Sequence, residues 1–143
     1  MSKTSFRAGS HAVFLIQLHI VFVTKYRAKA LTTEMMGRLP DILRGVLEPN
    51  NCELIEFNGE PDHVHMLIDL HPNNNISNLV GSLKSATSRI LRREFKTELD
   101  KIYWNPKAKL WHDSKCIVSC GGAPLAVVKQ YIDNQSGGKK PSR

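Results

Sequence analysis

The chain has 143 residues, of which 41% are hydrophobic, and this size suits one globular domain that buries its own core without disulfide or metal support. The longest apolar stretch, 12–23, is broken by Gln17 and His19 and is too short to span a membrane. Twenty Lys and Arg residues against thirteen Asp and Glu give a formal charge of +7, which favours nucleic acid over a small metabolite as the partner.

The N-terminus and the cysteines indicate the expected setting of the protein. The first ten residues lack the apolar segment of a signal peptide, and the three cysteines are odd in number with no disulfide framework. We therefore expect a cytoplasmic protein with no membrane partner. We predict a single domain over 1–143, with an ordered core at about 11–136 and flexible tails at 1–10 and 137–143.

The hydrophobic periodicity predicts seven elements. In chain order they are a strand at 12–24, a helix from the cap Thr32–Glu34 to 48–51, strands at 52–58 and 61–70, a helix at 78–99, a short strand at 116–120 and a helix at 124–135. We expect Pro40 to kink the first helix or delay its start, Ser77 to cap the second and Gly59–Glu60 to form a hairpin turn. This order predicts an α+β, ferredoxin-like fold, in which a four-stranded antiparallel sheet carries two helices on one face, followed by a C-terminal tyrosine-bearing helix.

The strand at 61–70 contains two histidines, His63 and His65, with Pro61 at its first position. Successive side chains of a strand alternate faces, so both imidazoles lie on one side, with alpha carbons about 6.6 Å apart, and the apolar residues Val64 and Met66 lie on the other. The pair can converge on one ion. A His-x-His pair alone is, however, more often a half-buried strand with hydrogen-bonded or solvent-facing histidines.

The predicted topology places the first strand beside the histidine strand, so Gln17 and His19 share the open face with the two imidazoles. Basic residues occur near this face and along one side of the second helix. We name His19, Lys25, Arg27, Arg89 and Arg92 as candidate DNA contacts, with solvated surface charge as the alternative.

The final helix carries Tyr131 and Gln135, which are four residues apart and therefore on one side of it, after a flexible Gly121-Gly122 pair. With Pro61-Asp62-His63-Val64-His65, Lys25-Tyr26-Arg27 and Leu110-Trp111 in this order, the chain resembles the small insertion-sequence transposases of the HUH single-tyrosine type. The resemblance covers about 19–135. Cys120 and Gly59-Glu60 depart from the usual residues of that family.

The resemblance implies an enzyme that cuts and rejoins single-stranded DNA at the hairpin-bearing ends of a mobile element. By analogy, Tyr131 is the nucleophile that forms a 5′-phosphotyrosine, and His63, His65 and Gln135 hold a divalent metal, Mg or Mn. Neutral ligands suit this task because they leave the full charge of the ion to the phosphate. The family also implies a homodimer that exchanges the tyrosine helix between subunits.

Transesterification conserves the bond energy, so we expect no nucleotide cofactor, and the sequence contains no phosphate-cradling Gly-x-x-x-x-Gly-Lys loop. Two alternatives remain. A non-catalytic single-stranded nucleic-acid-binding module would display aromatic residues on the central strands, where this chain has His19, His63 and His65. A metal-dependent nuclease that uses water would never accumulate DNA-linked protein.

Overall fold

The computed structural model describes residues 6–8, 13–105, 108–119 and 132–134. The elements are β1 (Arg7–Ala8), β2 (Val13–Phe14), β3 (Gln17–Val23), α1 (Thr33–Leu47), β4 (Glu53–Glu60), β5 (His63–Asp69), α2 (Ile76–Glu94), α3 (Lys96–Asp100) and β6 (Cys116–Ser119), with 3-10 turns at Lys25–Arg27 and Glu48–Asn50. Residues 132–134 are helical, and the rest of the predicted helix at 124–135 lies outside the described residues.

The main sheet has four antiparallel strands in the order β4, β5, β3, β6. The two central strands pair in a register that places Val21 opposite His65 and Val23 opposite His63. Helices α1 and α2 pack against each other and contribute to one core on a single face of the sheet. The predicted α+β, ferredoxin-like arrangement is therefore confirmed, including the central position of the histidine strand.

Alternate side chains of the central strands face the helices and form the core, because successive residues of a strand point to opposite faces. The strand contributions are Leu18, Ile20 and Phe22 from β3 and Val64, Met66 and Ile68 from β5. The helices add apolar stripes at three- and four-residue steps, Met35, Leu39, Leu43 and Leu47 from α1 and Leu79, Leu83 and Leu91 from α2, all of them buried.

The first strand and the hairpin differ from their predicted limits. The chain pairs first with β1 at Val13–Phe14 and then enters the main sheet at Gln17. The hairpin turn lies at Pro61–Asp62, since Glu60 pairs with His63, so the predicted turn at Gly59–Glu60 is wrong and Pro61 precedes β5. Gly59 lies within β4, where an added Cβ would approach the Sδ atom of Met36 to 2.7 Å; the close approach of α1 favours glycine there.

The first long helix begins at its predicted cap but without the late start expected from Pro40, and the second begins earlier than predicted. The side chain of Thr32 accepts a hydrogen bond from the Met35 amide at 3.3 Å and caps α1, which continues through Pro40 instead of starting after it. Asn75, not Ser77, caps α2, because its Oδ1 atom accepts from the Asn78 amide at 2.9 Å. The predicted helix at 78–99 is also broken: Phe95 leaves helical geometry and packs toward the core, and α3 follows.

Part of the predicted N-terminal tail forms a strand. Arg7 lies in β1 and reaches over β5, where its Nε atom lies 3.6 Å from Oδ2 of Asp69, a fully buried carboxylate. Its guanidinium also covers the Phe14 ring at 5.0 Å and donates to the backbone oxygen of Asn51. The predicted tail at 1–10 therefore includes a two-residue strand, and its flexibility stays a prediction. The C-terminal tail and the core limits at 11 and 136 lie outside the described residues.

A loop that follows α3 contacts both the end of β3 and α2. Trp111 is buried against Phe22, with ring centroids 5.4 Å apart, and its Nε1 atom donates to Oγ1 of Thr87 at 2.8 Å. The backbone of Trp111 forms a β-bridge with Thr24. Among the described helices, none is both long enough and apolar enough to cross a membrane.

Candidate active site

The open face of the sheet carries the two histidines of β5. His63 and His65 point to the side away from the helices, with ring centroids 6.4 Å apart and ring planes inclined by 21°. Their neighbours across the strand pair are Val23 and Val21 of β3. The alternation predicted from the sequence is therefore confirmed, and both rings are half-buried rather than free in solvent.

A carboxylate fixes the orientation of His63. Oδ1 of Asp62 lies 2.8 Å from Nδ1 of His63, and Oδ2 of the same carboxylate accepts from Nε of Arg27 at 2.9 Å. Burial would raise the pKa of Asp62, but the hydrogen bonds from His63 and Arg27 outweigh it and lower the pKa below its usual range. An ionised carboxylate only accepts, so Nδ1 carries the proton and Nε2 is the nitrogen able to bind a metal.

The guanidinium of Arg27 reaches Asp62 because the chain turns sharply after β3. Tyr26 and Arg27 both have positive φ, 63° and 52°, which is uncommon for residues with a side chain and costs conformational energy. Thr24 stabilises the turn, since its amide donates to the backbone oxygen of Asp62 at 3.0 Å and its hydroxyl donates to the backbone oxygen of Ala28 at 2.6 Å. The turn therefore joins the end of β3 to the residue before His63.

His65 lies in a more enclosed position than a surface histidine. Burial, followed by the proximity of His63 and His19, lowers the pKa of His65 below its ordinary value of 6.5. The imidazole is consequently neutral near pH 7, the protonation state that binds metals. His19 lies on β3 opposite Leu67 and so shares the open face, as predicted.

The short described helical stretch near the C-terminus lies against the same face. Ile132 is buried in a small cluster with Val21 and Val23, the residues opposite the two histidines. Asp133 lies 3.9 Å from the Nη2 atom of Arg27. The helix turn at 132–134 therefore contacts the surroundings of the histidine pair. The predicted Tyr131 and Gln135, which flank this stretch in the chain, lie outside the described residues.

The predicted DNA contacts occupy three different places. Lys25 lies in the turn beside Tyr26, with its Nζ atom 5.5 Å from the tyrosine ring centroid. Arg89 and Arg92 line a groove on α2, on the helix side of the sheet. Arg92 is largely buried, pairs with Asp100 at 3.2 Å and covers the Tyr103 ring. Their contact with DNA stays a prediction.

The donor set at the open face fits a divalent metal, although it is incomplete. It supplies two imidazoles on one strand, one oriented by a carboxylate and the other held neutral. Within the described ranges, no group of three or more His, Cys, Asp or Glu side chains is placed to hold a metal ion. His63 and His65 could therefore hold a metal only with donors from elsewhere, such as an amide, water or a substrate oxygen.

Three residues of this site were not singled out from the sequence. Asp62 stands out in the sequence only as part of the motif from Pro61 to His65, and Thr24 and Asp133 do not stand out at all. Asp62 and Arg27 are 35 residues apart, so no local pattern connects them. The acidic residue directly before the first histidine was the one available signal, because metal-binding histidines commonly donate their second N–H to a carboxylate.

Comparisons with known proteins agree with this architecture. The family model described as "Transposase IS200 like" matches residues 12–135. The chain is 30% identical over 129 residues to the ISDra2 transposase TnpA of Deinococcus radiodurans, with 90% of each chain covered. It is 34% identical over 86 residues to the transposase for insertion sequence element IS200 of Salmonella typhimurium, and this match covers 60% of this chain and 57% of that protein.

A crystal structure from Deinococcus radiodurans R1, described as a candidate transposase, matches with a TM-score of 0.79 and 32% identity over 90% of this chain and 97% of that one. The chain therefore belongs to the IS200-like family of transposases.

Proposed function

We propose that this transposase cuts and rejoins single-stranded DNA at the ends of an insertion sequence, with Tyr131 as the nucleophile. One observation carries the proposal: the histidine pair and the stretch Ile132–Asn134, which directly follows Tyr131, lie on the same open face.

The reaction is a transesterification at phosphorus. The Tyr131 hydroxyl loses its proton and its oxygen attacks the phosphodiester, forming a bond to phosphorus while the bond to the 3′-oxygen breaks. The leaving 3′-oxygen takes up a proton, which gives a free 3′-hydroxyl and a 5′-phosphotyrosine. Attack by a 3′-hydroxyl on the phosphotyrosine reverses the chemistry and rejoins a strand. One phosphodiester replaces another, so no nucleotide cofactor is needed.

His63, His65 and Gln135 are the proposed ligands of a divalent ion, Mg or Mn. When bound, such an ion supplies positive charge to a non-bridging phosphate oxygen and orients the phosphate for in-line attack. The chain's own contribution is positional. The Asp62 carboxylate keeps Nε2 of His63 directed outward, and Arg27 holds that carboxylate in turn.

The proposed substrate is a single strand whose ends form hairpins, and the proposed assembly is a homodimer that exchanges the tyrosine helix. The relatives support the first part only in that one of them is named as the transposase for an insertion sequence element. The charge of +7 supports a polyanionic substrate. Ile132 packs against its own sheet, and in the proposed exchange it makes the same contact with the sheet of a second copy.

A covalent adduct assay tests the proposal. The protein is incubated with Mg²⁺ or Mn²⁺ and single-stranded oligonucleotides that carry element-end hairpins, and denaturing gels detect protein-linked DNA. We expect an adduct from the wild type and none from Tyr131→Phe, which should still bind the DNA. His63→Ala should also lose the adduct. Asp41→Asn, at an exposed carboxylate of α1 away from the open face, should retain it.

The same assay separates the rival functions. A module that only binds nucleic acid would shift the oligonucleotide in native gels but form no adduct and cut nothing. A nuclease that activates water would cleave with Tyr131→Phe as well as with the wild type. Either outcome would overturn the proposed transesterification.

A further inference from the structure

An aromatic cleft lies beside the turn that follows β3. It has a volume of about 330 Å³ and lies between the Lys25-Tyr26 turn and the chain after α3; the residues that matter here are Lys25, Tyr26, Tyr103, Trp104 and Lys109. This volume is at the lower end of the range for small-ligand sites in proteins and suits one compact unit rather than an extended chain. The cleft is separate from the histidine pair.

Two of the lining aromatics are exposed to an unusual degree. Trp104 is 88% exposed and Tyr26 is 42% exposed, whereas Trp111 in the same loop region is 2% exposed. A large apolar ring held in solvent is informative, because burial of such rings normally stabilises the fold. Trp104 is therefore available to a ligand.

The floor of the cleft is rigid. The Tyr103 hydroxyl donates to the Lys25 backbone oxygen at 3.0 Å, and burial raises the pKa of Tyr103 to about 12, so the donor keeps its proton. The Tyr103 ring lies between the Tyr26 ring at 6.4 Å and the Arg92 guanidinium at 5.6 Å. Because these contacts already hold the Tyr103 ring in place, ordering this ring costs little free energy when a ligand binds.

The charges around the cleft complement phosphate. Lys25 and Lys109 lie at its rim, and Asp113 is the single acidic residue among its lining residues in the described part of the chain. Lys109 and Asp113 also line the adjoining groove on α2, which contains Lys84 and Arg89. Aromatic rings flanked by cations are the surface that single-stranded nucleic acids use, with bases stacked on the rings and phosphates beside the cations.

The cleft is connected to the proposed catalytic site through one residue step. Tyr26 precedes Arg27, whose guanidinium binds the Asp62 carboxylate that orients His63. Both residues have positive φ and belong to the same turn after β3. The cleft is therefore adjacent in the chain to the residue that holds the Asp62 carboxylate.

We propose that the aromatic cleft binds one unpaired nucleotide of the single-stranded substrate, with the base against Trp104 and Tyr26 and the flanking phosphates at Lys25 and Lys109. The proposal rests on the proposed function, because it assigns part of the same substrate to a second site. It is a binding site, not a catalytic one.

Intrinsic fluorescence tests this inference directly, because the chain has two tryptophans and Trp111 is buried. The full chain with Tyr131→Phe is titrated without divalent metal, using a single-stranded thymidine oligonucleotide and the matched duplex. We expect quenching by the single strand and little by the duplex. Trp104→Ala should abolish the quenching and weaken binding of a labelled oligonucleotide about tenfold. Phe6→Ala, an exposed aromatic outside the cleft, should leave the affinity unchanged.

Two results would contradict nucleotide binding at the cleft without contradicting the proposed function. Quenching could be absent although the wild type forms the Tyr131 adduct. Alternatively, Trp104→Ala could change the oligomeric state in light scattering without changing DNA affinity, which would assign the cleft to a protein contact. The reverse result, quenching at Trp104 with no adduct from the wild type, would support the cleft and overturn the transesterification.

Discussion

The helix-covered face and the open face of the sheet are formed by alternate residues of the same two strands, yet their surroundings differ. On the helix side, Phe22 and Met66 are fully buried in a large apolar core. On the open side, His63 and His65 are half-buried, and the apolar cluster beside them is small among the residues that the structure describes. The first face supplies stability, which allows the second to keep polar groups poorly covered and available for chemistry.

The largest effect should come from the helix face. Phe22→Ala removes a fully buried ring that packs on Trp111 and should lower the free energy of unfolding by about 3–5 kcal/mol. His19→Ala, on the open side of the same strand, should change it by less than about 1 kcal/mol. Urea denaturation followed by circular dichroism measures both, and equal losses would contradict the contrast between the faces.

A smaller effect, confined to function, should come from the carboxylate behind His63. Asp62→Asn removes the charge that orients the imidazole and holds Arg27, so we expect Mn²⁺ affinity and adduct formation to fall about 10- to 100-fold. Calorimetric titration and the adduct assay measure these losses. Asp41→Asn, an exposed carboxylate on α1, is the matched control and should match the wild type in both. If Asp62→Asn bound Mn²⁺ as tightly as the wild type, the proposal that Asp62 orients His63 for metal binding would be wrong.

The helix caps offer a finer test of what stabilises the covered face. Asn75→Ala should lower the free energy of unfolding by about 1 kcal/mol, because the Asn78 amide loses its acceptor. Ser77→Ala, two residues later, should cost only a few tenths of a kcal/mol. Thermal unfolding of the two variants compares their losses of stability. A greater loss from Ser77→Ala would show that Ser77 caps the helix, as predicted from the sequence.

The smallest expected effect concerns pH and the contact between α1 and α2. The hydrogen bonds from Arg38, 2.8 Å for the shorter, lower the pKa of Glu94 below its ordinary value of 4.5. The folded state then binds the Glu94 proton less readily than the unfolded state, so this pair stabilises the fold above about pH 4.5 and loses its effect as pH falls through the lowered pKa. Thermal unfolding of Glu94→Gln between pH 3 and 6 should depend on pH slightly less than the wild type. A steeper dependence in the variant would contradict this sign.

Periodicity predicted the parts of the fold that depend on local pattern. The alternation of β3 and β5 placed His19, His63 and His65 on one face, and the order of elements gave the central pairing of these strands. Both follow from sterics that act residue by residue. The errors occur where tertiary contacts decide. Gly59 was interpreted as a turn residue, but it lies in β4 and pairs with Val64 of β5.

The candidate site was predictable only in its histidine pair. The link from Arg27 to Asp62 requires two consecutive residues with positive φ, and neither Tyr26 nor Arg27 is a residue type that signals such a turn. No local pattern in the sequence distinguishes Trp104 from Trp111, although one is exposed and the other is hydrogen-bonded to Thr87. Burial of a given tryptophan depends on which neighbours the fold brings to it, and that information is not local.

The most direct measurement identifies the residue that becomes linked to DNA. The adduct formed with a hairpin oligonucleotide and Mg²⁺ is digested with nuclease and trypsin, and the modified peptide is sequenced by tandem mass spectrometry. The account predicts a nucleotide 5′-phosphate on Tyr131 and on neither Tyr26 nor Tyr103. Modification of another residue, or cleavage with no modified peptide at all, would contradict it.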